Sequence, residues 1–319
     1  MCIRDSINSR AFNQGGGIYN LGTVSLDNSS VVLNSAGSRG GGIFNSGDVT
    51  AINTTISSNA AVSRGAGIFN EGTVDLNSVT VALNTGGARG GGVANEDGND
   101  FVLTLGNTIV ASNESDFISP VTGNVFATDI DGDVDSRGSN LVGFLDQTVN
   151  AIASGYSSSD LLGGTVDDLD EEGNPGQNPA INARLARLVQ ATDPERNGTY
   201  RHNLISGSPA IDSGDDDLYP DNRPELDQIG HPRILDGNID SFRQIDIGAR
   251  ERFVNRPVAF FTISSNPAGI DELVTFDGSG STHTLDDFNI VLWEWDFDFD
   301  GTNFNVDACL LYTSDAADE

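Results

Sequence analysis

The sequence contains no lysine, two cysteines and one methionine in 319 residues; all sixteen of its cations are arginines. Without lysine there is no amine for Schiff-base chemistry and no lysine general base. Both cysteines, Cys2 and Cys309, fall close to the ends. The interior therefore has neither a disulfide framework nor a thiolate metal site. Apolar residues come in short pieces separated by Gly, Asn and Ser, and no run approaches the ~20 residues that span a bilayer. The formal net charge is −31. A chain this acidic repels nucleic acid and anionic membrane surfaces. Solubility in a salty environment, or binding of divalent cations, would both account for the charge.

The two ends read differently from the interior. Met1–Ser6 back-translates to a DNA string whose reverse complement is encoded across Ala308 and Cys309–Ser314. Unrelated protein termini do not encode complementary DNA by chance. Residues 1–6 and 308–319 are therefore expected to be translated sequencing adapter, and native sequence to run from Ile7 to Asp307. That expectation removes both cysteines and leaves a native charge of −28, since the two segments carry Arg4 against Asp5, Asp315, Asp318 and Glu319. It also places any secretion signal or anchor outside the fragment.

What the interior has is a repeat. Gly15-Gly16-Gly17-Ile18-Tyr19-Asn20 recurs from Gly40, from Gly65 (with Ala66 in second place) and from Gly90, each step being 25 residues. The rest keeps step: Val24, Val49 and Val74; Val31, Ile56 and Val81; Asn34, Asn59 and Asn84; and Arg39, Arg64 and Arg89 ahead of successive glycines. The fourth repeat gains four residues around Glu96–Asp100 and resumes with Leu103, Leu105 and Val110. A unit this short cannot bury its own apolar side chains, so it must stack on its neighbours. Three short β-prone pieces per unit predict one coil of a parallel β-helix, with coils ~4.8 Å apart. Ile18, Ile43, Ile68 and Val93 should form one interior ladder. Val24, Val49, Val74 and Leu103 form a second, and Val31, Ile56, Val81 and Val110 a third. Asn20, Asn45, Asn70 and Asn95 should sit at a bend with their amides bonded to one another. The glycines allow turns at positive φ. Leucine-rich, nonapeptide β-roll and helical repeats all lack their required spacing here. An Asp at Ile43 or Ile68 should unfold the solenoid.

The glycine repeats resemble bacterial right-handed β-helix surface proteins of the polymorphic outer membrane protein type. Further on, Asn107–Asn113, Ser139–Gly143, Ser208–Gly214, Asp227–Gly230 and Asp246–Glu251 resemble the choice-of-anchor Q family. The likeness covers roughly residues 15 to 251, and Ala151–Arg196 departs from it in being longer and more acidic. It implies a secreted protein held by a C-terminal anchor, and no defined reaction. From Pro257 the segments Val274–Ser281 and Trp293–Phe297 are similar to the PKD domain, an immunoglobulin-like sandwich. The resulting fold class is all-β: a right-handed parallel β-helix of 25-residue coils followed by an incomplete immunoglobulin-like sandwich. Residues 7–150 are expected to be the β-helix, 151–253 its loop-rich C-terminal part or cap, and 257–307 the truncated PKD-like domain.

Chemistry is sparse. Asp296, Asp298 and Asp300, followed by Gly301 and with Asp307 at the twelfth place, spell the start of an EF-hand-like calcium loop. Asp- and Gly-rich turns after Trp-Asp-Phe are also ordinary PKD sequence. Asp129, Asp131, Asp133 and Asp135 lack the sixth-place Gly and read as a solvated turn; Asp215–Asp217 reads as a solvated loop. His202, His231 and His283 lie too far apart to suggest a triad and read as structural or exposed. Glycoside hydrolysis needs paired carboxylates about 5–9 Å apart over one groove. The outward acids Asp27, Asp48 and Asp75 do not share one ladder position. Arg39, Arg64 and Arg89 form a basic stripe that could meet an acidic glycan, or cap turns and pair with nearby acids. The sequence thus suggests a non-catalytic, extracellular or cell-surface bacterial scaffold of the adhesin type, without nucleic-acid partners. Its expected partners are polysaccharide or a surface protein, its only expected cofactor Ca2+, and its membrane contact only through an anchor outside the fragment. A polysaccharide lyase or glycoside hydrolase fragment, or an accessory carbohydrate-binding region, is the rival.

Overall fold

The computed structural model of the chain describes residues 5–87, 90–96, 101–115, 117–118, 125–126, 128–145, 155–163, 180–190, 199–218, 225–238, 242–253, 257–258, 260–264, 275–279, 281–283, 292–295 and 308–311. All regular elements among them are β. The chain divides into two compact units, Met1–Phe253 and Val254–Glu319.

The first unit is a parallel β-solenoid of the right-handed type. One coil runs Ile18–Asn20, Thr23–Asp27, Ser30–Val32, Ser35–Ala36, and each piece pairs in parallel with the piece 25 residues on. The three ladders expected inside are there. Ile18↔Ile43↔Ile68↔Val93, Val24↔Val49↔Val74↔Leu103 and Val31↔Ile56↔Val81↔Val110 are in register and buried. The four-residue insertion is absorbed between faces, because Thr73 pairs with Val102 and the ladder continues unbroken.

Each coil has four faces, not three. The fourth is a narrow face of two-residue strands at Arg10–Ala11, Ser35–Ala36, Ala60–Ala61, Thr85–Gly86 and Glu114–Ser115. Its inward side chains, Ala36, Ala61 and Ser115, are small, so a hydrophobicity pattern reads it as turn. They are small because the glycine run crosses the coil close behind them. A Cβ on Gly41 would lie 2.3 Å from the Ala60 carbonyl, and one on Gly91 2.4 Å from that of Glu114. Ala66 is the exception in that column, and the wall opposite it gives up its methyl at Gly86. A Cβ placed there would lie 3.7 Å from the Ala66 Cβ. Only the first glycine of each run needs positive φ, at 65°, 64°, 61° and 65° for Gly15, Gly40, Gly65 and Gly90.

Two asparagine ladders line the corners. Along the first, Asn20 Nδ2 donates to Asn45 Oδ1 at 2.7 Å, Asn45 to Asn70 at 2.8 Å and Asn70 to Asn95 at 2.7 Å. The second runs Asn34, Asn59, Asn84, Asn113, at 3.1, 2.9 and 2.8 Å, and is wholly buried.

The described residues between 181 and 251 do not stack as further coils. They form a strap along the outside of the sheet that contains Ser30–Val32, Thr55–Ser57, Thr80–Ala82 and Ile109–Ala111. A second apolar cluster of Ile109, Ala111, Leu141, Ala183, Leu204, Ala210, Ile211 and Ile247 joins the two. Strand pairing reaches Asp5–Ile7 at one end.

In the second unit Pro257–Val258 pairs antiparallel with Thr282–His283, Thr262–Ile263 with Phe276–Asp277, and Leu292–Trp295 with Ala308–Leu311. Among the described residues these are separate two-stranded ladders, with Phe260 and Phe261 exposed.

Candidate functional site

The strap carries the densest charge. Asp227 accepts from the backbone N–H groups of Ile229 and His231 through Oδ1 at 2.9 Å each, and from Glu251 N through Oδ2 at 3.1 Å. Arg250 Nη1 donates to the same Oδ2. Asp246 accepts from the backbone N–H groups of Asp212 and Arg252. Glu251 accepts from Asp246 N at 3.1 Å and lies 3.8 Å from Arg233 Nη1. Burial pushes the Asp246 carboxyl up to about 7 and raises Glu251 as well; it lowers Arg233 and Arg250, which nearby carboxylates partly restore.

Arg233 and the residues beside the other charged groups make the contacts to the solenoid. Gln228 accepts from Thr55 Oγ1 at 2.7 Å and donates to the carbonyls of Ser29 and Tyr200 at 2.8 and 3.0 Å. Arg233 Nη2 donates to Asn53 Oδ1, and Asn53 Nδ2 donates to the Leu226 carbonyl at 2.7 Å. Ala249 N donates to Thr80 Oγ1 at 3.0 Å, and Gly248 N to the Asn107 carbonyl at 2.7 Å. Gly248 sits at φ 103°, and a Cβ there would lie 2.7 Å from Ile109 Cδ1. The residues quoted for the family likeness, Asp227–Gly230 and Asp246–Glu251, are therefore the ones that dock the strap. Sequence reading did not single out their charges; acid-Gln or acid-Ile-Gly beside an arginine was the available signal.

His202 Nε2 lies 2.8 Å from Ser57 Oγ, a pairing that in an open cleft would be a nucleophile and its base. Both are buried, at 1% and 0% exposure, and His202 Nδ1 faces the Ala186 carbonyl at 2.8 Å instead of a carboxylate. Burial lowers the imidazole's affinity for a proton. The neutral ring thus donates from Nδ1, accepts the Ser57 hydroxyl at Nε2, and ties strap to sheet. His231 stands against the Phe253 ring, centroids 5.6 Å apart. His283 lies in a strand of the second unit.

The acidic run departs from the solvated turn expected of it. Asp133 and Asp135 are exposed, but Asp129 and Asp131 are buried, at 2% and 5%. Asp129 ends the second asparagine ladder. Its Oδ1 accepts from Asn113 N and Nδ2, both at 2.8 Å, and its Oδ2 from Phe144 N at 2.7 Å. Desolvation pushes it up to about 7 in spite of those donors. Asp131 takes the column that Tyr19, Phe44, Phe69 and Ala94 occupy in earlier coils, and receives Arg64. Asp215 and Asp216 are also less free than a solvated loop: Asp215 N donates to Asn107 Oδ1 at 2.8 Å, and Asp216 Oδ1 accepts from Ile245 N at 2.9 Å.

The arginine stripe is taken up locally. Tyr19, Phe44 and Phe69 stack face to face at 5.0 and 5.5 Å, outside the coil yet with the last two buried. Arg39 lies over Phe69, 4.7 Å from the ring centre, and Arg64 pairs with Glu96 at 2.8 Å. Arg89 lies outside the described residues, as do Asp296, Asp298, Asp300 and Asp307, the calcium candidates. Among the described residues no group of three or more His, Cys, Asp or Glu side chains is arranged to hold a metal ion, and no helix is long and apolar enough to cross a membrane.

One open groove of about 750 Å3 runs along the narrow face, lined by Phe12, Ser35, Ala60, Val62 and Thr85 among others. Among the described residues its only charged lining residue is Arg10. No family model, no curated protein and no solved structure matches the chain.

Proposed function

We propose that this chain is a non-catalytic scaffold module of the adhesin type, carried outside a bacterial cell and presenting its solenoid faces to glycan or protein partners. The observation that carries this reading is where the ionisable groups go. Asp227, Asp246 and Glu251, with Arg233 and Arg250, are buried within the strap, and hydrogen bonds from other strap residues meet their carboxylates. Catalytic carboxylates need reach to a substrate and a tuned proton affinity together. At Asp246 and Glu251 a raised proton affinity comes with burial, which suits a structural joint. The likeness to choice-of-anchor β-helix proteins and to PKD modules supports an exported, surface-anchored setting. Calcium at Asp296, Asp298, Asp300 and Asp307 belongs to the same proposal, and titration with calcium alone in a calorimeter tests it.

Incubation of the full chain with acidic polysaccharides and calcium tests the absence of catalysis. The expected result is no shortening of the polymer and no new unsaturated ends. Depolymerisation above a buffer control would overturn the scaffold reading in favour of a polysaccharide lyase or hydrolase.

A further inference from the structure

The narrow face has a surface pattern that the coil does not require. In its outward column, residues 12, 37, 62 and 87 are Phe, Gly, Val and Gly. Phe12 and Val62 are exposed, at 106% and 71%. Gly37 and Gly87 cannot be otherwise, because a Cβ on either would come within 2.0 and 2.1 Å of the carbonyls of Phe12 and Val62. Large and absent side chains thus alternate along the axis, one coil apart. We propose that this face is a self-association surface that joins two copies of the chain with their solenoid axes antiparallel.

The alternation decides the orientation. Two copies related by a two-fold axis along the solenoids would set Phe12 against Phe12 and Gly37 against Gly37. A two-fold axis across the solenoids reverses the order of the partner's column. Phe12 then meets Gly87 of the second copy, Val62 meets Gly37, and the same contacts repeat by symmetry, as an isologous interface requires. Charge agrees. Among the described residues of its strands the charged ones are Arg10 in the first and Glu114 in the last, both exposed, in a chain of −31. Antiparallel packing brings each Arg10 to within about one coil, ~4.8 Å along the axis, of the other copy's Glu114. Four coils give a face on the order of 20 Å long. Two residues across, at ~3.3 Å each, the strands cover on the order of 100 Å2, well short of the ~800 Å2 per partner of a stable interface. The pair should therefore be weak and reversible, and populated where copies are crowded together.

Sedimentation equilibrium of the full chain, from about 10 µM to 1 mM at ~0.15 M salt, tests this. The expected result is a monomer–dimer equilibrium with a dissociation constant on the order of 100 µM. Phe12→Asp should weaken it at least about tenfold with unchanged far-ultraviolet dichroism, since Phe12 packs against little. Arg10→Glu should weaken it, and adding Glu114→Arg should restore it. A monomer over the whole range overturns the proposal, whether or not a neutral glycan binds Phe12 instead. So does a dimer indifferent to Phe12→Asp and to the charge reversals.

Discussion

Replacing Asn59 by Ala gives the sharpest test of what holds the coils in register. The Asn59 side chain makes four hydrogen bonds. Its Nδ2 donates to the Val31 carbonyl and to Asn84 Oδ1, both at 2.9 Å; its Oδ1 accepts from Asn34 N at 3.0 Å and Asn34 Nδ2 at 3.1 Å. An amide has two donors and two acceptor positions, so the group is saturated. With Ala, the buried Asn34 N–H loses this acceptor, at a cost of about 1–3 kcal/mol. The three other bonds are worth about 0.5–1.5 kcal/mol each. Roughly 3–5 kcal/mol of destabilisation should follow, a large share of a typical domain's ~5–15 kcal/mol. Because each coil touches only its neighbours, the loss should be felt most in the coils of Asn34 and Asn84. Urea unfolding followed by dichroism gives the size, and amide hydrogen exchange the spread.

Asn59→Asp separates hydrogen bonding from packing. It keeps an acceptor for Asn34 but faces Val31 O and Asn84 Oδ1 with an oxygen. Such a carboxyl gains a proton more readily in the folded state than in the unfolded one. Its stability is then greatest below the unfolded value and falls as pH rises through the folded one. Asn59→Asp should be less stable at pH 8 than at pH 5, relative to the parent, while the Ala variant keeps a constant deficit. A loss below about 1 kcal/mol for Asn59→Ala, or no effect on exchange in the neighbouring coils, would refute the ladder as a source of register.

Asp129, raised from 3.8 to about 7 by burial, contributes in the same sense: stability should decline as pH rises toward 7, and Asp129→Asn should flatten that decline in urea titrations at several pH values. Gly248→Ala forces a methyl against Ile109 and Thr80 at φ 103°; the strap should loosen and become open to limited proteolysis before the solenoid unfolds. Leu33, at φ 60° and exposed, shares its column with Asn8, Ser58, Leu83 and Ser112, so Leu33→Asn should raise the urea midpoint by relieving about 1 kcal/mol of left-handed strain.

The solenoid was legible because its signal is repeated. Ile18, Ile43, Ile68 and Val93 are one position seen four times, and a position that tolerates only β-branched apolar residues in every coil faces inward. Identity at fixed spacing likewise announced Asn20, Asn45, Asn70 and Asn95 as a bonded row. The narrow face was missed for the converse reason. Its inward residues Ala36, Ala61 and Gly86 are defined by how little they occupy, and small residues carry no periodicity of hydrophobicity. Phe44 and Phe69 were harder still, since they point outward and are covered by each other, Tyr19, Ala94 and Arg39, contacts no alternation rule contains.

The strap shows why the charged residues could not be placed from spacing. Thr55 meets Gln228 and Asn53 meets Leu226 across 173 residues, and Ser57 meets His202 across 145. Nothing local in either partner specifies the other. Yet the chemistry of the joint follows from the sheet it covers. The outward side chains of Ser30, Thr55, Ser57 and Thr80 carry hydroxyls, which cannot be buried without partners. An apolar strap would strand them, whereas one bearing Gln228, His202 and the Ala249 N–H can satisfy them. Such bonds hold only in one register, so they fix the strap's position along the axis, while Ile109, Ala111, Ile211 and Ile247 supply the less directional apolar burial. The arginines and acids behind Gln228 then brace the backbone that presents it. On this argument the charge in residues 225–252 serves to position a lid over a hydroxyl-lined sheet, and its removal should release the strap.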